Sequence, residues 1–269
     1  MEVVRMSALR QSFPAGPRAV ALGAVCLALF SGCQHLAIKR GDPSGRQVAR
    51  SILKAIGGAR AAKTLDYVSF RYSVEDQGRE VLRRDHLWDR KTGRCRLDDR
   101  PENQPRVALF NRETREGISY LGSTDDPQAN PDPHALAAAH AWHVRDTFWL
   151  MSAAVLLDLK ADLEYVGEQE VEGRPYPTLK VSFGQDAGVQ ANDVYWYYAD
   201  PSTGRPKYWA FVLRGRETAP RTFAWKQWQT VGKLSLPVRF EELGHPERAI
   251  VIDNLYAPGQ VREEVFRKP

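Results

Sequence analysis

The chain has 269 residues, of which 43% are hydrophobic and 26% are charged, a composition that excludes a disordered, collagen-like or polytopic membrane protein. The net charge is +5, but basic residues alternate with acidic ones, as Arg90 and Arg94 do beside Asp89, which argues against a nucleic-acid-binding surface. Three cysteines are too few for a disulfide scaffold, so the fold must depend on a hydrophobic core.

The first 33 residues have the pattern of a secretory signal. Arginines precede an uncharged apolar run over residues 19–30, and Ser31-Gly32-Cys33 follows it. The run is too short to span a bilayer stably, which favours a cleaved signal over a transmembrane anchor or a buried helix. Because it ends in cysteine, the segment resembles a bacterial lipoprotein signal, with Phe30 where that family usually has an aliphatic residue.

The lipoprotein resemblance implies that residues 1–32 form a signal peptide that is removed, and that Cys33 becomes a lipid anchor acylated with chains such as palmitate. Cleavage would lower the net charge to +3 and leave Cys95 as the lone unmodified thiol. Gln34, in place of Asp, implies the outer membrane, with the protein facing the periplasm. Residues 33–45 are then the acylated N-terminus and linker, and residues 46–269 form one folded domain.

The folded domain is predicted to begin with an amphipathic helix over residues 46–65, because its apolar residues recur at helical spacing; Gly57-Gly58 weakens this pattern. Residues 67–74 alternate between apolar and polar, which is typical of a half-buried antiparallel strand. Gln77-Gly78 then turns the chain into a second strand. The pattern Asp-x-x-Thr-Gly-Arg occurs at 89–94 and at 200–205, and each copy is expected to cap a hairpin. Further short β-rich runs predict an antiparallel meander.

One helix interrupts this meander, and it is predicted over residues 134–159. Its apolar residues extend nearly round the axis, so it must be covered on more than one side. Its histidines, His134, His140 and His143, are expected to be exposed or to cap the helix, because no His-Glu-x-x-His motif marks a zinc site. His86 is expected at a strand end, and Cys95 is expected to be partly buried and unreactive.

Aromatic residues concentrate late in the chain. Ten of the 27 lie between positions 195 and 228. In the strands predicted over 194–198 and 208–213 both faces are apolar or aromatic, so either a second layer covers the sheet or one face lines a cavity. The residues predicted to line such a cavity are Phe70, Tyr72, Trp88, Phe148, Trp149, Trp196, Trp209, Phe211 and Trp225.

The layout of helix, meander, apolar helix and meander, together with Trp228, Val231-Gly232 and Leu236-Pro237, resembles the LolA-like superfamily of lipoprotein carriers and lipid-binding proteins. The runs at 86–89 and 92–94 are similar to those of its bacterial lipoprotein branch. The resemblance implies an α+β fold, a strongly curved antiparallel half-barrel closed by helices around an apolar cavity. It also implies that the ligand is an acyl chain, a lipid or a lipoprotein, that the protein lies in the cell envelope, and that no cofactor is needed.

Other readings stay open. The same face could grip a protein partner in an envelope sensor or assembly protein, or the half-barrel could be packed without a cavity. A periplasmic enzyme with an unrecognised site is a further alternative, although Gly-x-Ser-x-Gly and Gly-rich phosphate loops are missing. No residue is assigned a catalytic or metal-binding role.

Overall fold

The structure is a computed structural model that describes residues 43–99, 105–122, 127–213 and 219–269. The predicted signal peptide, Cys33 and most of the predicted linker therefore lie outside the described residues. Lys39–Pro269 form one compact unit. Within the described ranges, every helix is too short or too polar to cross a bilayer.

The described residues form three α-helices and thirteen β-strands. The helices are α1 (Pro43–Ala55), α2 (Ala59–Lys63) and α3 (Ala135–Met151). The strands are β1 (Tyr67–Asp76), β2 (Arg79–Asp89), β3 (Arg94–Asp99), β4 (Arg106–Asn111), β5 (Gly117–Leu121), β6 (Gln128–Ala129), β7 (Ala161–Val171), β8 (Arg174–Phe183), β9 (Val194–Ala199), β10 (Pro206–Val212), β11 (Arg221–Val231), β12 (Leu234–Glu242) and β13 (His245–Tyr256).

All thirteen strands belong to one antiparallel sheet, in the order β6-β5-β4-β3-β2-β1-β13-β12-β11-β10-β9-β8-β7. The first strand, β1, lies in the middle of the sheet. Strands β2 to β6 follow in order out to one edge, after which the chain forms α3. It resumes at the opposite edge with β7 and returns until β13 pairs with β1. The sheet remains open, and α3 contacts β4, β5 and β12. This arrangement confirms the predicted α+β half-barrel with helices against it.

Both Asp-x-x-Thr-Gly-Arg segments cap hairpins, as predicted. The Asp89 carboxylate accepts hydrogen bonds from the backbone N–H groups two and three residues later, at 3.1 and 3.2 Å. Asp200 does the same in the second copy, at 2.9 Å for each bond. The glycines Gly93 and Gly204 have φ angles of 78° and 72°, a left-handed conformation that disfavours other residues.

Two predictions of helix extent are wrong. The helix predicted over 46–65 is divided into α1 and α2, because Gly57 and Gly58 have φ angles of 121° and 85°, which are incompatible with a continuous right-handed helix. The helix predicted over 134–159 ends at Met151, and Ser152–Ala154 form a 3₁₀ turn. Beyond the turn, Leu156 is fully buried, and the half-buried Leu157 and Leu159 pack against the same core, so their apolar character reflects the core and not a longer helix.

The helices pack on the sheet through a main core and a smaller cluster. The main core joins Ile52 of α1 and Phe148 of α3 to strand residues such as Trp209. The smaller cluster holds Cys95 and Phe110, with the start of α3 against it. Helix α3 therefore contacts both halves of the sheet, and this placement builds the site described next.

Candidate functional site

A cavity of about 370 Å³ lies between α3 and strands from both halves of the sheet. Its volume falls within the range of small-molecule sites, about 300–1,000 Å³. The apolar and aromatic lining residues are Tyr72, Val74, Leu82, Trp142, Phe148, Trp149, Tyr195, Trp209, Phe211, Leu213, Phe223 and Ile250. The charged or amide-bearing lining residues are Arg84, Arg145, Asp146, Gln190 and Arg221. The cavity thus has a large apolar wall and a smaller polar part.

Aromatic contacts hold the apolar wall in shape. Trp149 of α3 meets four rings edge-on, with centroids 4.7–5.6 Å apart, and these rings are Trp209, Phe211, Phe223 and Phe240. Tyr195 stacks on Trp209 at 5.2 Å, and Phe211 stacks on Phe223 at 5.6 Å. Edge-on and offset-stacked pairs are favoured geometries, so these contacts stabilise the positions of the rings in the wall.

Five of the nine residues predicted to line a cavity do line this one, namely Tyr72, Phe148, Trp149, Trp209 and Phe211. Trp225 lies behind the wall, 2% exposed, with its ring 6.1 Å from that of Trp209. That these six residues contact a ligand stays a prediction.

The other three predicted residues lie elsewhere. Phe70 stacks on His86 at 4.6 Å, and Trp88 packs against the smaller cluster around Cys95. Trp196 is half-buried and lies on the opposite face of β9 from Tyr195, because successive side chains of a strand point to opposite faces. Trp196 was predicted to line the cavity because it belongs to a continuous aromatic run, in which the alternation of strand faces is not visible.

A chain of buried polar groups leads from β3 to the cavity. The Sγ atom of Cys95 lies 3.2 Å from Nε2 of His143, whose Nδ1 lies 3.2 Å from Nδ1 of His86. Nε2 of His86 lies 3.0 Å from Asp146, which also accepts two hydrogen bonds from Arg84 at 2.9 and 3.1 Å. None of these five residues, hereafter the polar chain, is more than 9% exposed, and Arg84 and Asp146 line the cavity.

The hydrogen bonds from Cys95 to Asp146 can all form at once if each group donates to the next one along the chain. The ionised Asp146 carboxylate only accepts, so His86 donates from Nε2. In a neutral His86, Nδ1 then accepts from His143, and Nε2 of His143 accepts the thiol proton of Cys95. The Sγ atom of Cys95 also lies 3.5 Å from the carbonyl oxygen of Gly93.

Burial sets the ionisation of two members of the polar chain, His143 and Cys95. Complete burial lowers the pKa of His143 well below its ordinary value, and the nearby His86 and Arg112 act in the same sense. Burial also raises the pKa of the Cys95 thiol. His143 and Cys95 thus form a neutral imidazole beside a protonated, buried thiol. Reactive cysteines instead pair a thiolate with a cationic group.

Several histidine predictions are wrong. His140 is 7% exposed and His143 is fully buried, where exposed or capping side chains were expected. Nε2 of His140 lies 2.9 Å from the carbonyl oxygen of Arg112, and His86 lies within β2 rather than at its end. Cys95 is 1% exposed, deeper than predicted. Among the described residues, no group of three His, Cys, Asp or Glu side chains could hold a metal ion.

Stability is expected to fall as the pH drops below about 6.5, the pKa of an unperturbed histidine. Below that pH, His143 becomes protonated in the unfolded chain but stays neutral in the folded chain, because burial lowers the pKa of His143 in the folded state. The free energy of unfolding should therefore fall by up to about 1.4 kcal/mol per pH unit. Urea unfolding at about pH 7.5 and about pH 5.5 measures this slope.

The matched variants for this measurement are His143→Gln and His134→Gln. His134 is exposed, so its variant should keep the wild-type slope, whereas His143→Gln should lose the part due to the buried imidazole. Equal slopes in all three proteins would show that His143 takes up its proton equally well in the folded chain.

No protein-family profile matches the sequence, and no curated protein matches it. Among solved structures, a LolA superfamily protein from Nitrosomonas europaea is 9% identical, with a TM-score of 0.46 over 82% of this chain and 96% of that one. An outer membrane lipoprotein-sorting domain from Vibrio parahaemolyticus is 12% identical, with a TM-score of 0.41 over 81% of this chain and 97% of that one.

A third similar structure is the MucA/MucB complex of Pseudomonas aeruginosa, 17% identical, with a TM-score of 0.24 over 84% of this chain and 61% of that one. Similarities this weak carry no statement about function. What this chain binds must therefore be inferred from its own cavity.

Proposed function

We propose that the protein binds the acyl chain of a lipid or lipoprotein in the cavity between α3 and the sheet. The observation that carries the proposal is the cavity of about 370 Å³, walled largely by aromatic and aliphatic side chains. Each methylene that leaves water gains about 0.8 kcal/mol. Burial of the chain alone thus supplies useful affinity, and no catalytic group is required.

A fluorescent fatty acid tests this proposal directly. Residues 39–269 form a compact unit that contains every described helix and strand, so they can be purified without the predicted signal. We expect saturable uptake of the probe, its displacement by unlabelled fatty acid, and an extractable lipid in mass spectra of the purified protein. Absence of both uptake and extractable lipid would refute acyl-chain binding and favour the protein-partner or enzyme alternatives.

The protein is further proposed to be a lipoprotein of the cell envelope, held by acylated Cys33 in the outer membrane and facing the periplasm. The support is the sequence of residues 1–34, in which a basic start, a short apolar run and Cys33 followed by Gln34 succeed one another. Labelling of the full chain with radioactive palmitate should be lost in Cys33→Ser. Labelling that persists in this variant would contradict the anchor.

A further inference from the structure

The polar part of the cavity is rich in positively charged hydrogen-bond donors. Three guanidinium groups line it, from Arg84, Arg145 and Arg221, but Asp146 contributes the single carboxylate among the described lining residues. That carboxylate already accepts from Arg84 and His86. A ligand that enters this part therefore meets three guanidinium groups and a single carboxylate, which is already paired.

The acids that pair with the other two arginines are buried away from the cavity lining. Glu242 accepts two hydrogen bonds from Arg221, at 2.7 and 2.8 Å, and Asp193 lies 3.7 Å from Arg145. Neither acid lines the cavity, and their side chains are 7% and 0% exposed, against 55% for Arg221 and 35% for Arg145. Glu242 thus holds Arg221 by two hydrogen bonds, whereas Arg145 is held by its ion pair with Asp193 and donates to the carbonyl oxygen of Val189 at 2.9 Å. A guanidinium has five N–H donors, so each arginine keeps further donors.

The aromatic wall and the donors adjoin at one point. The guanidinium carbon of Arg221 lies 5.2 Å from the ring centre of Phe223 and 6.0 Å from that of Phe211. Tyr72, whose hydroxyl can donate, lines the same cavity, and Nε2 of Gln190 is buried without a hydrogen-bond partner in the described part of the chain. An apolar chain on the rings would place its head group among these donors.

We propose that this cavity selects single-chain amphiphiles with an anionic oxygen head group, a carboxylate or a phosphate monoester, and that Arg221 and Arg145 bind the head group. The inference rests on the proposed acyl-chain function and names its ligand class. Arginine suits both head groups, because its fork of N–H donors matches paired oxygens and its charge strengthens each bond.

The test compares five probes on residues 39–269 by isothermal titration: dodecanoate, dodecyl phosphate, methyl dodecanoate, dodecyltrimethylammonium and inorganic phosphate. The two anionic amphiphiles should bind about tenfold or more tightly than the ester and the cation, because hydrogen bonds to charged groups are the stronger ones. Of dodecanoate and dodecyl phosphate, the one that binds more tightly carries the head group that fits the cavity better. Inorganic phosphate should bind far more weakly than either.

A double variant, Arg221→Gln with Glu242→Gln, removes the head-group contact without leaving a buried carboxylate unpaired. It should lower the affinity for dodecanoate about tenfold and leave that for the methyl ester unchanged. Arg145→Gln provides a second, independent variant on α3. Lys226→Gln is the control, because Lys226 lies on the same strand as Arg221, pairs with Glu241 and does not line the cavity; it should bind all probes as the wild type does.

The outcomes separate this inference from the proposed function. Equal affinities for the anion, ester and cation would overturn the head-group assignment while acyl-chain binding stands. Tight binding of inorganic phosphate alone would overturn it as well, because the site would then be a plain anion site. If no amphiphile binds, the proposed function itself fails.

Discussion

Replacing Asp146 with alanine should lower the free energy of unfolding by about 3–5 kcal/mol, the range for removing one partner of a buried ion pair. Asp146 is 3% exposed and accepts hydrogen bonds from both Arg84 and His86. Its loss would leave a buried guanidinium and a buried imidazole without their shared acceptor. Urea unfolding of residues 39–269 measures the change.

The control for Asp146 is Asp76→Ala. Asp76 also faces an arginine, Arg248, at 3.7 Å, but both side chains are nearly half exposed. Such pairs contribute about 1 kcal/mol or less, so this variant should unfold close to the wild type. A loss below about 1 kcal/mol for Asp146→Ala would mean that solvent or Asp99, 3.7 Å from Arg84, compensates for it, and the polar chain would then contribute little to stability.

Filling the cavity should abolish most ligand binding. Leu82 lines the cavity from β2, and its replacement by tryptophan would occupy space that an acyl chain needs. Excluding even two methylenes lowers the affinity by about tenfold or more, at about 0.8 kcal/mol each. The displacement assay with a fluorescent fatty acid measures the effect, and urea unfolding shows whether overpacking disturbs the fold.

Val81→Trp is the matched control, one residue earlier on the same strand. Val81 is 62% exposed, and successive strand residues point to opposite faces, so its variant should bind as the wild type does. Unchanged affinity in Leu82→Trp, with the fold intact, would place the acyl chain outside this cavity. The groove beside α1, of about 420 Å³ and lined partly by Val48 and Tyr165, would then be the next site to test.

Local signals in the sequence predicted the hairpins and the class of fold. An aspartate that bonds forward and a glycine with positive φ fix a turn without distant help, which is why the segments at 89–94 and 200–205 were predictable. Helix ends were less predictable. The stretch after Met151 is apolar on all sides, so its periodicity carries no mark of where the helix stops.

The polar chain was missed because its partners are far apart in sequence. His86 and His143 meet only when β2 packs under α3, and no spacing rule links them. Two weaker signals were present: Arg84 and His86 share one face of a strand, while His143 and Asp146 stand three apart on a helix. Each pair places polar groups on a face that packs inward, and such groups require partners.

The position of β1 beside β13 has a consequence for folding order. Tyr72 pairs with Ile252, so the centre of the sheet closes only after the last strand is available. Until then, β1 has an unpaired edge, and contacts that span most of the chain are slow to form. The half-folded chain exposes strand edges that favour aggregation. The chain is therefore most prone to aggregate before β13 pairs with β1, and a chaperone that covers the β1 edge would protect it most at that stage.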